Sequence, residues 1–156
     1  MGRTVYLNGE YLDEAQAKVS IFDRALLFSD ALYEVTSVID GKLIYFKNHM
    51  KRLDRSMIEL NYPKLLDHKD LELFHRELVK KNNLKEGVVY LQVSRGVAER
   101  SFDFPDKKTE LTVTAFIQVK DLLQNDAALK GRWRCINTVV SARGWSCRLT
   151  GCWSSA

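Results

Sequence analysis

The stretch SIFDRALLFSDALYEVTSVIDGKLIYFKNHMKRLDRS, residues 20–56, constrains the fold most strongly, because its hydrophobic period changes within a few residues. Leu32 to Ile39 is rich in β-branched side chains, Asp40-Gly41 favours a tight turn, and Lys42 to Phe46 reads as a returning strand. Directly afterwards the apolar residues recur every three or four positions, which indicates an amphipathic helix. The sequence therefore predicts an antiparallel hairpin followed by a helix.

The rest of the chain supplies further hairpin, helix and strand signals of the same kinds. Predicted helices run from Lys47 to about Leu60 and from Lys69 to Lys81, where Asn82-Asn83 ends the second. Predicted strands are a hairpin over Thr4 to Leu12 around Asn8-Gly9, Val88 to Ser94, and Leu111 to Val119. We expect an α+β fold, an antiparallel sheet with two helices, over residues 1–120.

Charge and composition exclude several classes of protein. The net charge of +4 comes wholly from four arginines beyond Lys130, in a tail without acidic residues, so the preceding domain is neutral and nucleic acid is not an expected partner. No run approaches the roughly 20 apolar residues of a membrane span, and the N-terminus lacks the apolar core of a signal peptide. We therefore expect a cytoplasmic protein without a membrane partner.

Metal binding is not predicted. All three cysteines lie in the tail with the three tryptophans, and their spacings match no common zinc pattern, which favours reduced, unreactive thiols. The histidines, His49, His68 and His75, have no spacing that suggests joint ligation, so structural or surface roles are expected.

Three places carry side chains suited to binding a charged ligand. Arg52 lies one turn into the first predicted helix, where its guanidinium could fork onto a phosphate or belong to a solvated helix face. Tyr33 begins a strand, where its phenol could project into a cleft and hydrogen-bond a carboxylate, or only pack. Arg95 and Arg100 flank a polar loop between two strands and could trap an anion or be surface arginines.

Several segments, in a specific order, resemble the class IV aminotransferases, the fold-type IV pyridoxal-phosphate enzymes. YLNGEYLDEAQAKVSIFDRALLFSDALYEV is similar to that family's N-terminal hairpin and its D-R-x-x-x-F-x-D-x-x-Y-E loop and strand. HMKRLDRS is similar to its helix, and VYLQVSRGVAERSFDFP to the loop that closes the substrate pocket, as in D-amino-acid transaminases. The resemblance implies the small N-terminal domain of that fold.

The resemblance also implies an activity and a site. It implies amino-group transfer between a D-amino acid and a 2-oxo acid, with pyridoxal 5′-phosphate as cofactor and a homodimer as the assembly. Arg52 would bind the cofactor phosphate, Tyr33 would line the substrate side, and Arg100 would hold the substrate carboxylate. A branched-chain transaminase, an aminodeoxychorismate-lyase-like member and a non-catalytic dimerisation fragment are the alternatives.

The sequence also departs from the family pattern. Ser29 and Ala31 replace the glycines usual around Asp30, and Phe102 stands where D-amino-acid transaminases generally have histidine. The family's Schiff-base lysine has no counterpart: its usual interval from Arg52 ends near residues 147–150, and residues 131–156 contain no lysine. We expect a truncated or frameshifted chain without catalytic residues, with a linker at 121–131 and an incomplete start of the cofactor-binding domain at 132–156.

Overall fold

Six strands and three helices follow one another in the residues that the computed structural model describes, 2–63 and 66–123. The strands are β1 (Thr4–Leu7), β2 (Glu10–Asp13), β3 (Ala31–Ile39), β4 (Lys42–Leu43), β5 (Glu86–Ser94) and β6 (Thr112–Val119). The helices are α1 (Arg24–Phe28), α2 (Phe46–Glu59) and α3 (His68–Lys81).

The strands form one antiparallel sheet in the order β2-β1-β6-β5-β3-β4. Its centre is built by β5, which pairs along its whole length with β3 on one side and β6 on the other. Both predicted hairpins are present, and their turns use positive φ angles, 48° at Asn8 and 51° at Asp40. The antiparallel α+β architecture predicted from the sequence is confirmed.

α2 and α3 cover one face of the sheet, and the hydrophobic core lies between these helices and that face. The apolar stripe of α2, Met50, Leu53 and Met57, is at most 1% exposed. It packs in one cluster with the inward residues of the sheet and α3, among them Val38, Val89, Leu91, Val93, Ala115, Ile117, Leu71, Phe74 and Leu78. Because strand side chains alternate, every second residue of β3 and β5 points toward these helices.

Two local elements differ from the sequence prediction. The returning strand, expected to reach Phe46, ends at Leu43, because Tyr45 has a φ of +52° and the buried Phe46 begins α2. The segment expected as a loop contains the short helix α1, whose first turn is capped by the Asp23 carboxylate at Ala25 N. It ends at Ser29 with a φ of +54°, a left-handed conformation that glycine adopts more readily.

The predicted boundary at residue 120 falls just after β6. Of the predicted linker only residues 121–123 are described, and the predicted segment 132–156 lies outside the described residues. In the described part of the chain no helix is long and apolar enough to cross a membrane.

Candidate cofactor and substrate site

Glu34 is an acidic residue on the covered face of the sheet. It lies on β3 in the same alternation as Thr36 and Val38, and it is 2% exposed. A carboxylate buried to this extent is stable only when partners compensate its lost hydration. Those partners come from α2.

Arg52 and His49 both bind the Glu34 carboxylate. Arg52 donates from Nε to Oε1 at 2.7 Å and from Nη2 to Oε2 at 2.6 Å, and His49 Nδ1 lies 2.8 Å from Oε2. The two α2 residues are three positions apart, which places them on one side of the helix. The bidentate pair fixes the plane of the guanidinium, while 42% of the Arg52 side chain remains exposed.

The ionised form of Glu34 is favoured in this arrangement. Burial by itself raises the pKa of the carboxyl, but the hydrogen bonds and positive charges of His49 and Arg52 outweigh it and hold the pKa below its usual range. Glu34 is therefore an anion at neutral pH and anchors Arg52.

Tyr33 projects from the face of the sheet opposite α2 and α3. Its ring stacks on Tyr90 of β5, with centroids 5.7 Å apart and planes 10° from parallel, and Tyr90 stacks in turn on Phe116 of β6. Burial raises the pKa of the Tyr90 phenol. Tyr33 itself is 49% exposed, so a ligand can reach it from this face.

Arg100 lies exposed in the loop between β5 and β6. Its guanidinium carbon is 5.4 Å from the ring centroid of Phe28 in α1 and 5.3 Å from that of Phe102. Phe102 is 84% exposed, although it is a large apolar side chain. These contacts hold Arg100 beside α1, whereas Arg52 is held by Glu34 of β3.

Arg95 is buried, so the interpretation of Arg95 as a surface arginine is wrong. It is 4% exposed, its Nε donates to Asp30 Oδ2 at 2.9 Å, and its other nitrogens donate to the carbonyls of Asn61 and Leu60. Arg24, also 4% exposed, donates from Nε to the same Asp30 oxygen at 2.8 Å. Asp30 thus joins two buried arginines that the sequence does not bring together.

Sequence reasoning missed both of these charged groupings. A signal for the first is the placement of Glu34 at an inward position of a strand, since an acid there requires a cation. A signal for the second is that Arg95 directly follows the buried strand β5. The partners themselves, 65 positions apart in the case of Asp30 and Arg95, carry no local pattern.

Comparison with known proteins identifies the class to which this arrangement belongs. The family model described as amino-transferase class IV matches residues 31–146, the range that holds β3, α2 and the loop of Arg100. The chain belongs to the class IV aminotransferase family.

Individual relatives support the same assignment. D-alanine aminotransferase of Staphylococcus haemolyticus is 37% identical over 122 residues, which is 78% of this chain and 43% of that protein. The structure of Escherichia coli branched-chain amino acid aminotransferase superposes with a TM-score of 0.72 at 20% identity, over 82% of this chain and 43% of that one.

A third comparison is with the branched-chain amino acid aminotransferase of T.th. with pyridoxamine 5′-phosphate. It gives a TM-score of 0.67 at 19% identity, over 80% of this chain and 42% of that one. The two solved structures share the fold. This chain spans about two fifths of the length of the relatives it matches.

Proposed function

We propose that this chain forms the phosphate-binding and substrate-facing half of a pyridoxal-phosphate-dependent aminotransferase site. The observation that carries the proposal is Arg52, a guanidinium fixed in its plane by the buried Glu34 and still 42% exposed. A fixed, accessible guanidinium suits a phosphate, whose oxygens match its forked donors. The residues present therefore fit the phosphate end of the cofactor.

The other two candidate residues would face the substrate. Tyr33 offers a half-exposed phenol on the face of the sheet opposite Glu34 and Arg52, and Arg100 offers a cation for a carboxylate. The bound cofactor would supply the electron sink for amino-group transfer between an amino acid and a 2-oxo acid. The D-alanine aminotransferase relative favours a D-amino acid as substrate.

The proposal for this chain is binding without turnover. No lysine stands at residues 147–150, where the family interval from Arg52 leads, and Cys147 occupies the first of these positions. A homodimer and a cytoplasmic location remain predictions.

Replacing Arg52 by glutamine tests the proposed phosphate role. We expect affinity for pyridoxal 5′-phosphate to fall about ten- to a hundredfold, because hydrogen bonds to charged groups contribute about 1.5–3 kcal/mol. Isothermal titration of the purified 156-residue protein measures the dissociation constant. Pyridoxal, which lacks the phosphate, should bind both proteins equally weakly.

The matched control is Arg55→Gln on the same helix. Arg55 has a side chain that is 71% exposed and lies 3.7 Å from Glu59, one turn along α2. We expect this variant to bind pyridoxal 5′-phosphate as the unmodified protein does. If both variants lost affinity for pyridoxal 5′-phosphate equally, or if Arg52→Gln weakened pyridoxal binding by the same factor, Arg52 would not be the residue that binds the phosphate.

A further inference from the structure

One carboxylate oxygen connects the two halves of the candidate site. Asp30 Oδ2 accepts from Arg24 Nε at 2.8 Å and from Arg95 Nε at 2.9 Å. Both arginines are almost completely buried. Neither has the exposure needed to meet a substrate, so any contribution to function must act through the groups that they hold.

Arg24 holds the loop of Arg100. Its Nη1 donates to the backbone carbonyls of Ser101 at 3.1 Å and Asp103 at 3.2 Å, on either side of Phe102. Its guanidinium carbon also lies 4.6 Å from the centroid of the Phe28 ring, and Arg100 lies 5.4 Å from the same ring. Arg24 thus binds two backbone carbonyls of the loop, and it also packs on the Phe28 ring, which lies beside Arg100.

The start of that loop is fixed by backbone contacts with α1 and with the segment just before it. The Arg24 amide donates to the Gly96 carbonyl at 2.9 Å, and Ala98 N lies 3.4 Å from the Phe22 carbonyl. Gly96 has a φ of +98°, and a Cβ there would lie 1.9 Å from the Glu110 carbonyl oxygen, so only glycine fits without a shift. The backbone direction at the start of the loop is therefore fixed, and the Arg24 side chain binds the loop a second time at the carbonyls of residues 101 and 103.

Arg95 makes the corresponding connection to α2. Its Nη1 and Nη2 donate to Asn61 O at 2.9 Å and Leu60 O at 2.8 Å, where the helix ends. Asp30 joins this end of α2, the helix that carries Arg52, to the loop that carries Arg100.

We propose that Arg24 is a positioning residue that sets where Arg100 stands relative to α2. That Arg100 binds the substrate carboxylate rests on the proposed function above; that Arg24 orders its loop does not. Arg24 spans Asp30 and two loop carbonyls at once because a guanidinium presents several donors in a rigid fork. A lysine ammonium would keep the charge beside Asp30 but lacks this fork.

The first test is Arg24→Lys, read by hydrogen exchange of the 156-residue protein with mass spectrometry. In the peptide covering residues 97–105, the amides of Ala98 and Asp103 donate hydrogen bonds, to Phe22 O and Ser101 Oγ. We expect their exchange to accelerate about tenfold or more, since the loop loses the two bonds from Arg24 to its carbonyls. Exchange in β5 and β6 should change much less. Arg76→Lys is the control, because Arg76 is exposed and pairs only with Glu72 among the described side-chain contacts.

Two outcomes would overturn the proposal. Unchanged exchange at 97–105 would mean that the loop is ordered without Arg24, and equal acceleration throughout the sheet would mean a general effect on stability. If Arg24→Lys does not fold, Arg24→Gln replaces it, since the shorter amide side chain can still donate toward Asp30 but cannot span Asp30 and both loop carbonyls. Faster exchange confined to 97–105 is again expected, and its absence counts against the proposal.

The second test compares two probes that differ in one carboxylate. N-(5′-phosphopyridoxyl)-D-alanine carries an amino-acid carboxylate that N-(5′-phosphopyridoxyl)ethylamine lacks, so the ratio of their dissociation constants isolates that group. In the unmodified protein the probe with the carboxylate should bind more tightly. We expect Arg100→Gln to remove this preference, so that the two dissociation constants become equal, and Arg24→Lys to reduce the preference severalfold. Equal dissociation constants in the unmodified protein would refute the proposed role of Arg100 but not that of Arg24. The exchange experiment would still decide the role of Arg24.

Discussion

Replacing Asp30 by asparagine is expected to lower the free energy of unfolding by about 3–5 kcal/mol, the usual cost of removing one partner from a buried ion pair. Asparagine has nearly the same shape but no charge. It would leave Arg24 and Arg95, each 4% exposed, beside a neutral amide. The loss arises chiefly from two buried cations without their shared anion.

Urea unfolding of the variant and of a matched control measures this effect. Asp40→Asn makes the same chemical change in the exposed turn before β4, where Asp40 lies 3.7 Å from Lys42 and its side chain is 86% exposed. That variant should differ from the unmodified protein by less than about 0.5 kcal/mol. If both variants unfold alike, the Asp30 cluster does not stabilise the fold as the geometry indicates.

Much of the fold could be predicted because its signals are local. The Asn8-Gly9 and Asp40-Gly41 turns fix two hairpins, and the three- and four-residue apolar spacing after Lys47 fixes α2. The order of strands is a different matter. β1 pairs with β6, more than 100 residues later, and no nearby residue specifies that pairing.

The candidate site was predictable to the extent that single positions carry it. Arg52, Tyr33 and Arg100 were selected through the resemblance, and the structure gives each a definite environment. What could not be predicted is how buried charges find each other, since Glu34, His49 and Arg52 meet only when α2 packs on β3. The surface interpretation of Arg95 failed for the same reason: its partner Asp30 lies on a segment far away in sequence.

Acidification from pH 6.5 to pH 4 is expected to lower the free energy of unfolding by about 3 kcal/mol through His75 alone. His75 is 0% exposed on the core side of α3, and its ring packs against Phe46 and Phe74. Among the described residues, its Nε2 has no hydrogen-bond partner. Burial lowers its pKa to about 4, against a small opposing contribution from the hydrogen bond to Leu71 O; the charge of His49 lowers it further.

The sign follows from proton counting. The unfolded histidine binds a proton near pH 6.5, whereas the folded one resists it until about pH 4, so the unfolded state holds more protons throughout this window. Stability contributed by neutral His75 is therefore complete above pH 6.5 and is lost as the pH falls toward 4. Glu34 adds a loss only at the acidic end, because its pKa lies below the usual range of a carboxyl.

Unfolding free energies measured between pH 7 and pH 5 separate the contribution of His75 from that of Glu34. In His75→Phe the slope over this window should largely disappear, since phenylalanine fills the aromatic site without taking up a proton. His68→Gln should keep the slope, because His68 is 42% exposed and pairs with Asp54 at the surface. An unchanged slope in His75→Phe would mean that the buried ring is not the group that titrates, and that acid instability originates elsewhere in the domain.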